Sequence, residues 1–139
     1  MTTNPPMILL AEDDENDVFF MRRALQKAKV EIPLQVVSNG QQALDYLSGE
    51  GKFADRNAYP LPSIILLDLK MPFLDGFEVL SWIIQQPSLK QTPVAVLTSS
   101  AEERDKRRAA DLGAKAYFVK PPKPETIGEI SRLIEENRN

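Results

Sequence analysis

Apolar residues along the chain follow two rhythms. Short runs dominated by apolar residues, at Met7–Ala11, Leu34–Ser38, Ser63–Leu67, Pro93–Leu97 and Ala116–Val119, have the length of strands. Between them the apolar positions recur at helical spacing. Val18, Met21, Leu25 and Ala28 fall at i, i+3, i+7 and i+10, which predicts a helix from Glu15 to about Lys29. After the turn signal Asn39-Gly40, Gln41–Leu47 reads as a short helix with Ala43, Leu44 and Leu47 inward. Asp75-Gly76 opens a helix striped by Phe77, Leu80, Ile83 and Ile84. Ser100 with Glu103 three residues on has the form of a capping box, starting a charged helix that runs to about Leu112 and stops at Gly113. A last helix from near Pro124 carries Ile127, Ile130 and Ile134 on one side.

Five strands thus alternate with five helices. The strands are continuous apolar runs rather than alternating ones, which predicts a parallel sheet covered on both faces. In such sheets ligands bind outside the carboxyl ends of the strands, at a topological switch point. One joint is out of proportion. The fifteen residues 48–62, "SGEGKFADRNAYPLP", exceed the usual connection and predict an exposed excursion, with Phe53 and Tyr59 as its anchors.

Composition narrows the chemistry. The 139 residues suit one domain, 42% of them hydrophobic, and the net charge of −3 argues against the basic footprint of a nucleic-acid binder. There is no cysteine, so disulfides and thiolate metal sites are excluded, in keeping with a reducing cytoplasm. There is no histidine either, which removes Ser-His and Cys-His catalysis and histidine zinc sites. Any phosphohistidine must come from a partner. No run has the length of a membrane span, and "MTTNPPM" lacks the basic and apolar regions of a signal peptide, so no membrane role is expected.

The residues just past the strands are Glu12 and Asp13, then Asp68, Thr98 and Lys120. A parallel sheet brings these ends to one edge, although they are far apart in sequence. Three clustered carboxylates make a hard-oxygen site for a divalent cation such as Mg²⁺, and the hydroxyl and ammonium suit phosphate oxygens. The acidic run Glu12–Asp17 then divides. Glu12 and Asp13 go to the metal, Asp14 has the place of an N-cap, and Glu15 and Asp17 sit in the first turn, where they favour the helix dipole.

Four stretches in order, Glu12-Asp13, "LLDLKMPFLDG" (Leu66–Gly76), "VLTSS" (Val96–Ser100) and "AYFVKPP" (Ala116–Pro122), resemble the receiver domain of two-component response regulators, over about residues 7–136. The long connection and the lack of room for an output domain resemble the small receivers that serve cyanobacterial and bacterial phytochrome kinases. The resemblance implies one domain over residues 1–139, a doubly wound α/β fold of the (βα)5 flavodoxin-like three-layer type, with strand order 2-1-3-4-5. It implies a stand-alone response regulator, not an enzyme beyond the chemistry of its own aspartate. A sensor histidine kinase, more narrowly a bacterial phytochrome, would pass a phosphoryl group to Asp68 in a Mg²⁺- or Mn²⁺-dependent reaction.

Residue by residue, the resemblance makes Asp68 the phosphoacceptor. Asp13, Asp68 and the backbone carbonyl of Lys70 become direct metal ligands, with Glu12 acting through water. Thr98 becomes the switch hydroxyl, Tyr117 the aromatic switch, and Lys120 the phosphoryl partner with a cis bond to Pro121. Output would run through protein contacts, including a homodimer on the face of the fourth helix, fifth strand and fifth helix. Phe19, beside Phe20 on the first helix, is a candidate kinase contact, and Trp82 falls off its helix's stripe. Lys70 lies where the family varies and is expected to tune the lifetime of the phosphorylated state. Pro122 and Lys123 depart from the usual aromatic after Lys-Pro.

Three rivals share parts of this pattern. A degenerate receiver acting as a phosphorylation-independent scaffold would lack the acceptor set that is present here. An aspartyl phosphatase needs a second Asp where Lys70 stands. A flavin domain needs a phosphate loop that is not acidic.

Overall fold

The computed structural model describes residues 5–137. Its strands are β1 (Ile8–Ala11), β2 (Leu34–Val37), β3 (Ile64–Leu67), β4 (Val94–Thr98) and β5 (Ala116–Val119). Its α-helices are α1 (Glu15–Lys27), α2 (Gly40–Ser48), α3 (Gly76–Ile83), α4 (Glu103–Asp111) and α5 (Pro124–Glu136), with short 3-10 turns at Gly51–Phe53 and Pro87–Leu89. The five strands form one parallel sheet in the order β2-β1-β3-β4-β5. Among the described residues no helix is long and apolar enough to cross a membrane.

The unbroken apolar runs follow from the two covered faces. Successive side chains of a strand point to opposite sides. Leu9, Ala11, Ile65 and Leu67 therefore pack with Tyr46, Leu47, Val79, Leu80 and Ile83 of α2 and α3. Their neighbours Ile8, Leu10, Ile64, Leu66, Ala95 and Leu97 pack with Met21 and Leu25 of α1 and Ile127, Ile130, Leu133 and Ile134 of α5. Each such Leu, Ile, Val or Met side chain contributes about 1.5–3 kcal/mol when fully buried. The charged helix α4 buries only Ala109, against Leu69, Phe77 and Val96.

Several helix details depart from the pattern-based reading. Ser100 is not the N-cap of α4. The helix begins at Glu103 after Glu102, which makes no side-chain cap, and the Ser100 hydroxyl instead donates to Asp105 Oδ2 (2.6 Å) and accepts from the Glu102 N–H. Ile84 and Ala28 are the C-cap residues of α3 and α1, and both are exposed, because each helix ends before its stripe does. Tyr46 was absent from the expected stripe of α2, yet it is fully buried. Its hydroxyl donates to the Pro60 carbonyl (2.7 Å), and burial pushes its pKa up to about 12.

The long connection is ordered from within. Phe53 is buried and Tyr59 half-buried, and their rings stand 5.1 and 6.0 Å from that of Tyr46. Arg56 donates to the carbonyls of Tyr46, Leu47 and Tyr59 at 2.8, 3.0 and 3.1 Å. Two of these carbonyls belong to the last turn of α2, where backbone donors run out, and only that of Tyr46 also accepts from the Gly49 N–H (3.2 Å). One guanidinium thus caps a helix and holds the excursion down.

Two glycines set the loop between β3 and α3. A Cβ on Gly40 would meet the Leu74 carbonyl oxygen at 2.1 Å, and one on Gly76 would meet the Asp68 carbonyl oxygen at 2.4 Å. The starts of α2 and α3 therefore close directly on loop backbone that cannot move aside cheaply. Alanine is the better helix former by roughly 1 kcal/mol. Even so, Gly40→Ala and Gly76→Ala should each destabilise the protein by about 1–3 kcal/mol through overpacking, read as a lower urea midpoint. A gain in stability would mean that the loop yields.

Candidate functional site

The carboxyl edge of the sheet is where the predicted residues meet. Hydrogen bonding runs one residue past each strand end and fixes the backbone there. The Glu12 N–H donates to the Val37 carbonyl (2.9 Å), Asp68 N–H to Ala11 (3.1 Å) and Lys120 N–H to Thr98 (2.8 Å). Glu12, Asp68 and Thr98 are buried, Lys120 is half-buried and Asp13 is exposed.

Lys120 is the centre of the site. Its Nζ lies 2.5 Å from Glu12 Oε1, 2.7 Å from Asp17 Oδ2 and 2.9 Å from Asp68 Oδ2. The ammonium donates hydrogen bonds to Asp17 and Asp68 and makes an ion pair with Glu12. Burial alone would lower its pKa, but Asp17, Glu12 and Asp68 outweigh it, and Lys120 is held charged above its ordinary range. The peptide bond from Lys120 to Pro121 is cis, as the resemblance implied.

The acidic side is under opposite stress. Burial pushes Glu12 up to about 7, against the pull of Lys120, and the nearby Asp68 charge adds to the rise. Glu12 Oε2 accepts from the Asp14 N–H (3.1 Å), whereas Oε1 touches Lys120 without hydrogen-bond alignment and has no other partner. Glu12, Asp13 and Asp68 offer oxygens that all lie within 4.8 Å of one another. Four carboxylates, counting Asp17, face one ammonium. The donor set is all oxygen, carries excess negative charge and has a lone buried acceptor, so it fits a hard divalent cation.

Thr98 ends β4 with its side chain fully buried and its Oγ1 without a hydrogen-bond partner. Leaving a hydroxyl in that condition costs about 1–3 kcal/mol. Two residues on, the Ser100 carbonyl accepts from the Tyr117 hydroxyl (2.9 Å) and ties β5 to the loop after β4. Burial raises the Tyr117 pKa and the Ser100 bond opposes it. Lys70 is exposed, and its N–H donates to Asp68 Oδ1 (3.2 Å).

At the helix start the acidic run follows expectation, with one exception. Asp14 is the N-cap of α1, its Oδ1 accepting from the Asn16 and Asp17 N–H groups. Asp17 does more than favour the dipole, since its carboxylate reaches Lys120 across the site. A signal was available, because Asp17 precedes the buried Met21 by four residues and so shares the inward face. Phe19 and Phe20 are both exposed, at 56% and 47%, so neither turns to the core. Phe73, in the loop after Asp68, is 82% exposed and holds a left-handed φ of 70°. Trp82 is half-buried against the α2–α3 side of the core.

Comparison with known proteins bears on the whole arrangement. The family model for the response regulator receiver domain matches residues 8–132. Response regulator Rcp1 of Synechocystis is 37% identical over 119 residues, covering 85% of this chain and 79% of the relative. A probable methanogenesis regulatory protein of Methanothrix harundinacea, FilR2, is 35% identical, covering 96% and 81%. The structure of the phosphorylated cyanobacterial phytochrome response regulator RcpA superposes with a TM-score of 0.79 at 35% identity, covering 97% of this chain and 94% of that one. Rcp1 itself has been solved in a Mn²⁺-bound form, with a TM-score of 0.76 at 32% identity, covering 96% and 90%. With its five parallel strands in the order 2-1-3-4-5 and this set of strand-end residues, the chain belongs to the response regulator receiver domain family.

Proposed function

We propose that this chain is a phosphoacceptor of two-component signalling, taking a phosphoryl group from a partner histidine kinase onto Asp68. The observation that carries this reading is the pairing of Asp68 with the Lys120 ammonium beside the unpartnered, buried Thr98 hydroxyl. A carboxylate nucleophile, a fixed cation and an idle donor are what a phosphoryl group on that carboxylate requires.

A carboxylate oxygen of Asp68 attacks phosphorus, the new O–P bond forms as the P–N bond to the partner's histidine breaks, and the imidazole leaves with the P–N electron pair. Phosphoryl transfer asks the protein for positioning and charge neutralisation more than for covalent help. Lys120, already within 2.9 Å of Asp68 Oδ2, donates to the incoming oxygens. Thr98 supplies a second donor and thereby satisfies its own hydroxyl. Its movement shifts the loop after β4, and Tyr117 follows through the Ser100 carbonyl. Glu12, Asp13, Asp68 and the backbone carbonyl of Lys70 would hold Mg²⁺ or Mn²⁺, which when bound neutralises charge on the transferring group.

The likeness to RcpA, a phytochrome response regulator, supports a phytochrome-type kinase as the donor. Output runs through protein contacts, including pairing of two copies on the α4–β5–α5 face. The resulting two-state equilibrium is biased by roughly two added negative charges.

Three measurements test the reading. Intact mass after incubation with acetyl phosphate and Mg²⁺ should show one added phosphoryl group, absent in Asp68→Asn and absent without Mg²⁺. No addition under any condition would favour a phosphorylation-independent scaffold. Mg²⁺ at ten times its dissociation constant should stabilise the unmodified chain by about 1.4 kcal/mol, seen as a Tm several degrees higher, and Asp13→Asn should abolish most of that rise. Lys70→Ala should shorten the phosphoryl lifetime severalfold by removing a cation beside the group, and an unchanged decay rate would dismiss that role.

A further inference from the structure

Three carboxylates share the Lys120 ammonium, but the proposed chemistry uses only two of them. Asp17 is the third, and it comes from a different part of the fold. It lies on α1, 103 residues from Lys120, and their side chains meet at 2.7 Å. Its place is fixed from both ends of the turn. Its own N–H is bonded to the cap residue Asp14, and four residues on Met21 is fully buried. The side chains of Lys120 and Asp17 are 11% and 28% exposed, so the pair is screened less than a surface pair.

A phosphoryl group on Asp68 adds oxygens and charge that compete with these carboxylates for the one ammonium. The acceptor that gives way is the one that loses least by it. The Glu12 side chain is 1% exposed and cannot be left unpaired without a large desolvation penalty. Asp17 is the most exposed of the three, so water can take over its hydrogen bonds at least cost. Its charge does not vanish when it yields. It stays beside the modified site and repels the added negative charge.

We propose that Asp17 is a positioning residue for phosphoryl transfer, holding the Lys120 ammonium in the unmodified chain and yielding it when Asp68 is modified. This rests on the phosphoacceptor reading and deepens it by naming the group that opposes the modified state. The pair also joins two walls of a groove. Asp17 leads into Phe20, Arg23 and Lys27 on α1, and Lys120 leads into Pro121, Pro122 and Lys123. Release of the pair therefore uncouples the start of α1 from the segment after β5.

The test uses the full chain and beryllium fluoride, an anion that takes the place of a phosphoryl group on a carboxylate, titrated at saturating Mg²⁺. Asp17→Asn keeps the size and an acceptor oxygen but removes the charge, and should bind the anion about fivefold more tightly than wild type. Asp17→Glu should return the affinity to the wild-type value. Urea midpoints measured in parallel separate a structural role, which moves the midpoint but not the affinity. Unchanged or weaker binding by Asp17→Asn would overturn the inference while leaving the phosphoacceptor reading intact. If the wild-type chain binds no beryllium fluoride, that reading falls and the inference falls with it.

Discussion

One ammonium makes the carboxyl edge of this sheet tenable. The parallel topology brings the residues after β1, β3 and β5 to one place, and the chain puts acids after two of these strands. Buried carboxylates at such range repel and lose solvation. Lys120 meets three of them within 2.9 Å, and its own charge is secured by the same contacts. Breaking a buried pair by removing one partner typically costs about 3–5 kcal/mol. The arrangement is therefore mutual, since neither the acids nor the lysine would be stable there alone.

Even so, the site is not at rest. Glu12 is pushed up to about 7 by burial, and Thr98 buries a hydroxyl that nothing satisfies. Most buried polar groups in folded proteins are paired, so two such atoms at one sheet edge are a local exception. The penalties they carry would be relieved by ligands of opposite character, a cation for the carboxylates and an acceptor oxygen for the hydroxyl. The ties that hold Lys120, Thr98 and Tyr117 are few and lie close together, so a change at Asp68 reaches β4 and β5 through short steps.

Much of this was legible in the chain. Continuous apolar runs between amphipathic stretches marked a doubly covered parallel sheet, and the residue past each strand marked the site. Local signals served less well where two readings of one residue compete. Ser100 has the spacing of a capping box, but its hydroxyl donates to the Asp105 side chain and the helix starts two residues past the expected position. Ile84 fits the stripe of α3, but the helix ends before it. Tyr46 and Arg56 were missed because their partners are backbone carbonyls, which leave no pattern in the side chains. Asp17 was assigned by its nearness to the helix start, although its phase relative to Met21 pointed inward.

The spread of the site along the chain has a consequence for how the protein matures. Glu12 and Lys120 lie near opposite ends of the chain, and Lys120 follows β5, the edge strand that pairs with β4. Parallel pairings between distant segments form late and slowly, because loop closure must precede the contacts that reward it. A chain with β5 unpaired therefore holds Asp68 without the ammonium that pairs with it. The carboxyl edge is therefore complete only once the last strand is paired.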